Sequence, residues 1–110
     1  MPRNKKRLEE KIKKAKSRKE KAIAYYNLGL FHDNNGREIK AVPNYKLALK
    51  FGLEKRLKSQ ALAWLASSLY KTSKPKDALK KVRESEIIAD GRLQNFLTGL
   101  ENRIKKSMRL

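Results

Sequence analysis

Side chains that could carry catalysis or bind a metal are scarce in this sequence. His32 is the single histidine and there is no cysteine, so neither a thiol nucleophile nor a set of imidazole and thiolate ligands can be assembled. Gly29 and Gly36 are not followed by the Gly-Lys-Ser/Thr of a phosphate-binding loop. We therefore predict that the chain is not an enzyme and uses neither a cofactor nor a metal, and we interpret His32 as a packing residue.

Positive charge is the strongest functional signal. The 29 Lys and Arg residues oppose 11 Asp and Glu residues, for a formal net charge of +18, which attracts polyanions and acidic partners. Residues 1–21 alone hold 11 basic and 3 acidic side chains. The candidate polyanion-binding residues in this segment are Arg3, Lys5, Lys6, Arg7, Lys11, Lys13, Lys14, Lys16, Arg18 and Lys19. Two interpretations stay open: a solvated basic extension, and an arm directed at nucleic acid or the ribosome.

The basic segment itself carries a weak helical pattern. Leu8, Ile12 and Ala15 form one apolar line, and Glu9 and Glu10 each precede a Lys by four residues, which favours a helix. The apolar line is too narrow to predict burial. We therefore expect residues 1–21 to form a basic, partly helical N-terminal extension.

The rest of the chain, residues 22–110, reads as one all-α domain. Apolar residues at spacings of three and four predict a helical hairpin over about 22–53, a second over about 54–90 and an amphipathic final helix over about 92–106. Asn34-Asn35-Gly36 and Gly52 are typical helix ends. No apolar run is long enough to cross a bilayer and no secretory signal is evident, so we expect a cytoplasmic protein without a membrane span.

The helical pattern makes specific predictions for three residues. Pro43 falls too deep in the second helix for the free first turn, which predicts a kink or a distorted first turn. Ile39 in the same helix and Ile87 in the fourth are expected on the buried sides.

The two hairpins are imperfect copies of one unit. They align at an offset of 37 residues, which pairs Gly29 with Ala66 and Ala41 with Ala78, small residues that suit a close helix crossing. The segments YYNLGLFHDNNGREIKAVPNYKLALKFGL and ALAWLASSLYKTSKPKDALKKV resemble the tetratricopeptide repeat, and in particular its group 5 family, over roughly residues 20–104. The most distinctive run is Asn35-Gly36-Arg37-Glu38 followed by Ala41-Val42-Pro43. This sequence departs from the pattern at Ser73, where the turn often has Gly, and at Ser85-Glu86, which weakens the expected last turn of the fourth helix.

The resemblance implies a fold and a kind of function. The fold is a short right-handed α-α superhelix of two helical hairpins plus a C-terminal capping helix, and its groove, lined by the first helix of each hairpin, serves protein recognition. It implies no catalysis and no named partner. Because about three repeats are normally needed for stability, self-association stays open.

The groove candidates are the residues of the first helices that packing does not use. They are Tyr26, Asn27, Leu30, Asp33 and Asn34 on the first hairpin, and Ala63, Trp64, Ser67, Tyr70 and Lys71 on the second. Trp64 has two interpretations, a binding anchor in the groove or a packing contact with the neighbouring helix or the terminal one. We predict a non-enzymatic scaffold that binds a protein or extended peptide, with an acidic partner indicated by the net charge. The alternative is a basic RNA-binding or ribosome-associated accessory protein that uses its N-terminal arm.

Overall fold

The computed structural model describes residues 4–109, and within them every regular element is an α-helix. This confirms the predicted all-α class. The chain divides into two compact units, one ending at Leu53 and one beginning at Glu54. The helices are α1 (Lys5–Lys14), α2 (Arg18–Asn34), α3 (Glu38–Phe51), α4 (Lys55–Lys71), α5 (Pro75–Ile88) and α6 (Gly91–Ser107).

Local sequence signals set the helix ends. The side chains of Ser17 and Asp90 cap α2 and α6 by accepting hydrogen bonds from the backbone N–H three residues later, at 3.1 Å and 3.0 Å. Gly36 ends the first hairpin's turn with a φ of 70°, in the left-handed region that glycine adopts without strain. Ser73 stands at the corresponding place in the second hairpin and also has a positive φ, of 65°.

The first unit is held by close contact between α2 and α3. Ala22, Ala41 and Ala48 are fully buried, and Gly29 lets the ring of Tyr45 approach the α2 backbone. A Cβ added at Gly29 would lie 2.7 Å from two ring carbons of Tyr45. Small residues therefore set the helix spacing here, as the sequence pattern predicts.

A cluster of aromatic and basic side chains lies at the end of the first hairpin opposite its turn, where α2 begins and α3 ends. Tyr25 stacks on Phe51 with parallel rings, 5.6 Å between centroids. The guanidinium of Arg18 lies 5.2 Å from the centre of the Phe51 ring and donates a hydrogen bond to the Lys50 carbonyl at 3.0 Å. Lys21 lies over the same ring at 5.6 Å. The cluster ties the start of α2 to the end of α3.

The basic helix α1 is packed against α2. Leu8 is only 4% exposed, so the expectation that the apolar line of this segment is too narrow for burial is wrong. A single large side chain, supported by the half-buried Ile12 and Ala15, is enough because α2 offers a preformed surface. The lysines of α1 remain exposed.

Helix α3 continues through Pro43, which lacks the amide hydrogen that would bond to the Ile39 carbonyl. Both residues are on the exposed side of α3, where water can replace the missing donor. The prediction that Ile39 is buried is wrong, since its side chain is 79% exposed. It lies two residues from the buried Ala41, about 200° around the helix.

The second unit repeats the hairpin and adds a helix. Leu62, Leu65 and Leu69 of α4 are buried together with Val82 of α5. The hydroxyl of Ser85, fully buried, donates to the Ser59 carbonyl at 2.8 Å and so joins the two helices. Helix α5 runs on to Ile88, so its last turn is intact, contrary to the weakening expected from Ser85-Glu86.

Helix α6 packs on both α5 and α4 within this unit. Its apolar side, Leu97, Leu100 and Ile104, is buried, as expected for a capping helix. The expectation for Ile87 is wrong, because it is 83% exposed. Ile87 lies two residues beyond the buried Ser85 and so points to the opposite side of α5.

Candidate partner-binding surfaces

The first helix of the first hairpin, α2, has a broader buried surface than its periodicity predicts. Helix α2 is contacted by α3 and also by α1. As a result Tyr26, predicted to line a groove, is only 5% exposed, and its ring meets that of Tyr45 at 6.1 Å between centroids. A ligand on the surface of this unit does not reach most of the Tyr26 side chain.

Asp33, another predicted groove residue, forms a hydrogen bond within the first unit. Its carboxylate accepts a hydrogen bond of 2.9 Å from the hydroxyl of Tyr45. Burial, and then the negative charge and hydrogen bond of Asp33, raise the pKa of the Tyr45 hydroxyl, which therefore stays protonated and donates. Asp33 thus positions Tyr45 across the hairpin.

The remaining predicted residues of α2 are more accessible. Asn27 and Leu30 are half-buried and Asn34 is exposed at the end of the helix. Asn27 also lines a shallow recess of about 310 Å³ between α1 and α2, together with Lys11, Lys14 and Glu20. The structure therefore brings two of the predicted polyanion-binding residues next to one of the predicted groove residues.

All the basic candidates that lie within the described residues are exposed. Those of α1 are exposed, as are Lys16 and Lys19, whereas Arg3 lies outside the described residues. Arg18 is exposed as well, but its guanidinium is used by the contacts with Lys50 and Phe51. The other exposed members are Lys5, Lys6, Arg7, Lys11, Lys13 and Lys14.

On α4 the predicted residues differ widely in exposure. Ala63 is fully buried, Ser67 and Tyr70 are half-buried, and Lys71 is exposed at the end of the helix. Trp64 is half-buried, and its ring makes a T-shaped contact with that of Phe96 from α6, with 5.2 Å between the ring centroids and 70° between the planes. Trp64 therefore does contact the terminal helix, as its packing interpretation expects.

The same Trp64 also faces an open recess of about 340 Å³ between α4 and α6. Apolar and basic side chains share its walls. Its lining residues are Arg56, Ser59, Gln60, Trp64, Asp90, Arg92, Leu93 and Phe96. The sequence interpretation missed Arg56, Arg92 and Phe96. It placed no binding residue on α6, and on α4 it considered only positions from Ala63 to Lys71.

Positive charge lies on the surface of both units. No Lys or Arg side chain among residues 4–109 is buried, and all but Lys21, Lys81 and Lys105 are exposed. Two of these half-buried lysines pair along their own helices, Lys81 with Glu84 at 2.9 Å and Lys105 with Glu101 at 3.1 Å. Pairs of this kind are worth only a few tenths of a kcal/mol.

The single histidine is buried, as its packing interpretation requires. His32 is 3% exposed, its ring meets Phe31, and its Nδ1 has no hydrogen-bond partner among the described residues. Burial, and then the charges of Lys40, Arg37 and Lys5, lower the pKa of His32, while Glu9 opposes them. The imidazole is therefore neutral near pH 7.

Among residues 4–109 there is no group of three or more His, Cys, Asp or Glu side chains arranged to hold a metal ion. No helix in the described part of the chain has the length and apolar character that crossing a membrane requires.

Comparison with known proteins identifies the repeat. Among curated protein sequences none matches this chain. The family model TPR_5, described as tetratrico peptide repeat, matches residues 22–102. The match runs from α2 into α6, so it spans both hairpins and leaves out α1. Small residues at the α2–α3 crossing and two helical hairpins followed by a packed end helix agree with it. The chain belongs to the tetratricopeptide repeat family.

Proposed function

We propose that this protein is a non-enzymatic scaffold that binds an acidic protein or an extended acidic segment. Members of the tetratricopeptide repeat family act in protein–protein interaction, and the acidic character of the partner is our addition. The observation that carries it is the placement of charge: with a formal net charge of +18, none of the described Lys and Arg side chains is buried. Charge complementarity of this kind accelerates association and selects partners.

We propose one recognition surface on each unit, formed by the accessible residues of α2 in the first unit and by those of α4 in the second. Asn27, Leu30 and Asn34 serve on α2, and Ser67 and Tyr70 serve on α4. Tyr26 and Ala63 are left out because they are buried. Tyr70 offers an aromatic side chain of the kind often found at the centre of protein interfaces.

Selection from a displayed library of random peptides, in the presence of nuclease, tests this function. We expect the full-length protein to enrich peptides rich in Asp and Glu, and we expect their affinity to fall as the salt concentration rises. Enrichment of only neutral or basic peptides, or of none, would contradict the proposal.

A charge-matched pair of variants distinguishes a protein partner from RNA. One variant changes Lys5, Lys6, Lys11 and Lys13 of α1 to Gln, and the other changes Lys46, Lys50, Lys76 and Lys80 of α3 and α5 to Gln. Binding of a single-stranded RNA is measured beside binding of a selected peptide. If RNA binds more tightly than any selected peptide and only the α1 variant loses RNA binding, the proposal of a protein-binding scaffold is wrong and the protein binds RNA through its basic arm.

A further inference from the structure

The recess between α4 and α6 combines features that a partner segment would need. Its volume is about 340 Å³, near the lower end of the range for ligand sites, which suits one bulky side chain with its flanking backbone. The recess lies wholly within the second unit, between helices that pack on each other. Its shape therefore follows from the packing of α6.

The apolar wall is formed by Trp64, Phe96 and Leu93. All three are half-buried, so each keeps part of its surface towards solvent. The two rings fix each other through their edge-to-face contact at 5.2 Å. A rigid aromatic wall of this kind loses little side-chain entropy when it binds an apolar group.

The polar rim is basic in effect. Arg56 and Arg92 are exposed and stand at the first turns of α4 and α6, and arginine binds carboxylates through two parallel hydrogen bonds. The acidic side chain on the rim, Asp90, already accepts a hydrogen bond from the Leu93 N–H at 3.0 Å as the cap of α6. Its charge is thereby directed to the positive end of that helix.

Backbone contacts hold the Arg56 turn in place. The Ser59 hydroxyl donates to the Arg56 carbonyl at 2.8 Å, and the Ser59 carbonyl accepts from Ser85 of α5. The Glu54 carboxylate caps the start of α4 by accepting from the N–H groups of Arg56 and Leu57. The guanidinium of Arg56 therefore extends from a well-supported turn.

From this arrangement we infer that the recess binds an acidic protein segment that carries one bulky apolar side chain among its carboxylates. The apolar side chain packs on Trp64, Phe96 and Leu93, and flanking carboxylates pair with Arg56 and Arg92. The inference rests on the proposed function and names the partner chemistry for one site. A protein segment fits better than nucleic acid, because the two rings meet at 70° and leave no parallel slot for a base.

Trp64 makes the test direct, because it is the only tryptophan in the chain. The probe is a short blocked peptide with one Leu among Asp and Glu residues and without Trp or Tyr. We expect a saturable change in Trp64 emission when this peptide is added to the full-length protein. Replacing its Leu with Ser, or its acidic residues with Asn and Gln, should weaken the effect.

The variant that decides the inference is the double change Arg56→Gln with Arg92→Gln. Both side chains are exposed, so the fold should be kept, which circular dichroism checks. We expect peptide affinity to fall by about tenfold or more. The control is Lys80→Gln with Arg103→Gln, which removes the same net charge from exposed positions outside the recess and should change affinity much less.

The outcomes separate this site from the general function. If a labelled form of the peptide binds by fluorescence anisotropy, but Trp64 emission does not change and the Arg56/Arg92 variant binds equally well, the recess is not the site and the scaffold function stands. If no acidic peptide binds at all, both are wrong. If oligouridylate changes Trp64 emission in an Arg56- and Arg92-dependent way and the peptide does not, the occupant is nucleic acid and the inference is overturned.

Discussion

At the scale of single residues, the contact between Gly29 and Tyr45 decides how closely α2 and α3 pack. Tyr45 is fully buried and its hydroxyl is held by Asp33, so the ring cannot move aside to admit a methyl group at position 29. The substitution Gly29→Ala therefore gains helix propensity but loses packing, and packing decides the result.

We predict that Gly29→Ala lowers the free energy of unfolding by about 1–3 kcal/mol, the usual cost of overpacking a core. The matched control is Gly99→Ala, in the middle of α6, where an added Cβ meets nothing within 4 Å. That change should raise stability by about 0.5–1 kcal/mol. Chemical denaturation measures both, and equal effects of the two substitutions would contradict the close-approach role of Gly29.

A second residue-scale prediction concerns pH. The pKa of buried His32 is lowered from its ordinary 6.5, so the unfolded chain binds a proton more readily than the native state. The stability that neutral His32 contributes is present above pH 6.5 and declines as the pH falls below it, with a slope of at most about 1.4 kcal/mol per pH unit.

The pH effect is isolated by comparing the protein with His32→Leu. The difference in free energy of unfolding between the two should shift in favour of the Leu variant on acidification below pH 6.5. A difference that stays constant with pH would show that His32 titrates alike in both states.

At the scale of elements, the turn of the second hairpin carries strain that the first avoids. Gly36 and Ser73 both have positive φ, 70° and 65°, but only glycine adopts this region freely. We predict that Ser73→Gly stabilises the second unit by about 1 kcal/mol and that Gly36→Ser costs the first unit a similar amount. Thermal denaturation of the two variants checks both signs, and a destabilised Ser73→Gly would mean that the serine side chain contributes more than its backbone costs.

The docking of α1 is the second element-scale prediction. A helix of ten residues is marginal on its own, and Leu8 is its only buried side chain. Leu8→Ala should therefore release α1, which hydrogen exchange would detect as lost protection of the amides in Lys5–Lys14 while α3 keeps its protection. The exposed Lys6→Ala, a control in the same helix, should leave protection unchanged or raise it.

At the scale of the whole molecule, self-repulsion of like charge opposes folding. The formal net charge is +18 and the described cations are at the surface, so screening by salt should favour the compact state. We predict that added sodium chloride raises stability by about 1 kcal/mol, or a Tm increase of about 4–8 °C for a chain of this size. Replacing Lys19, Lys46, Lys76 and Lys80 with Gln should reduce this salt effect, and a salt-independent Tm would contradict it.

Much of the fold can be predicted from the sequence because the helices and their ends are set by residues close together in the chain. Spacings of three and four mark each helix, and Ser17, Gly36 and Asp90 act within one turn of the chain. Gly29 and Ala41 indicate a close crossing because few other residues permit one. The departures at Ser73 and Ser85 are also visible in the sequence, although their consequences are not. A strained turn at Ser73 and a hydrogen bond from Ser85 to α4 appear only in the structure.

The sequence indicates less about which side chains of a helix stay accessible, for a physical reason. A helix has several neighbouring faces, and the helices that approach it decide which of them is buried. Tyr26 lies in the core because α2 is covered from two sides. Phe96 and Arg92 join Trp64 and Arg56 only because α6 packs on α4. By itself the sequence determined an all-helical, highly basic repeat. Only the tertiary structure decided which aromatic and basic side chains lie together at the surface, because their contacts join residues distant in the chain.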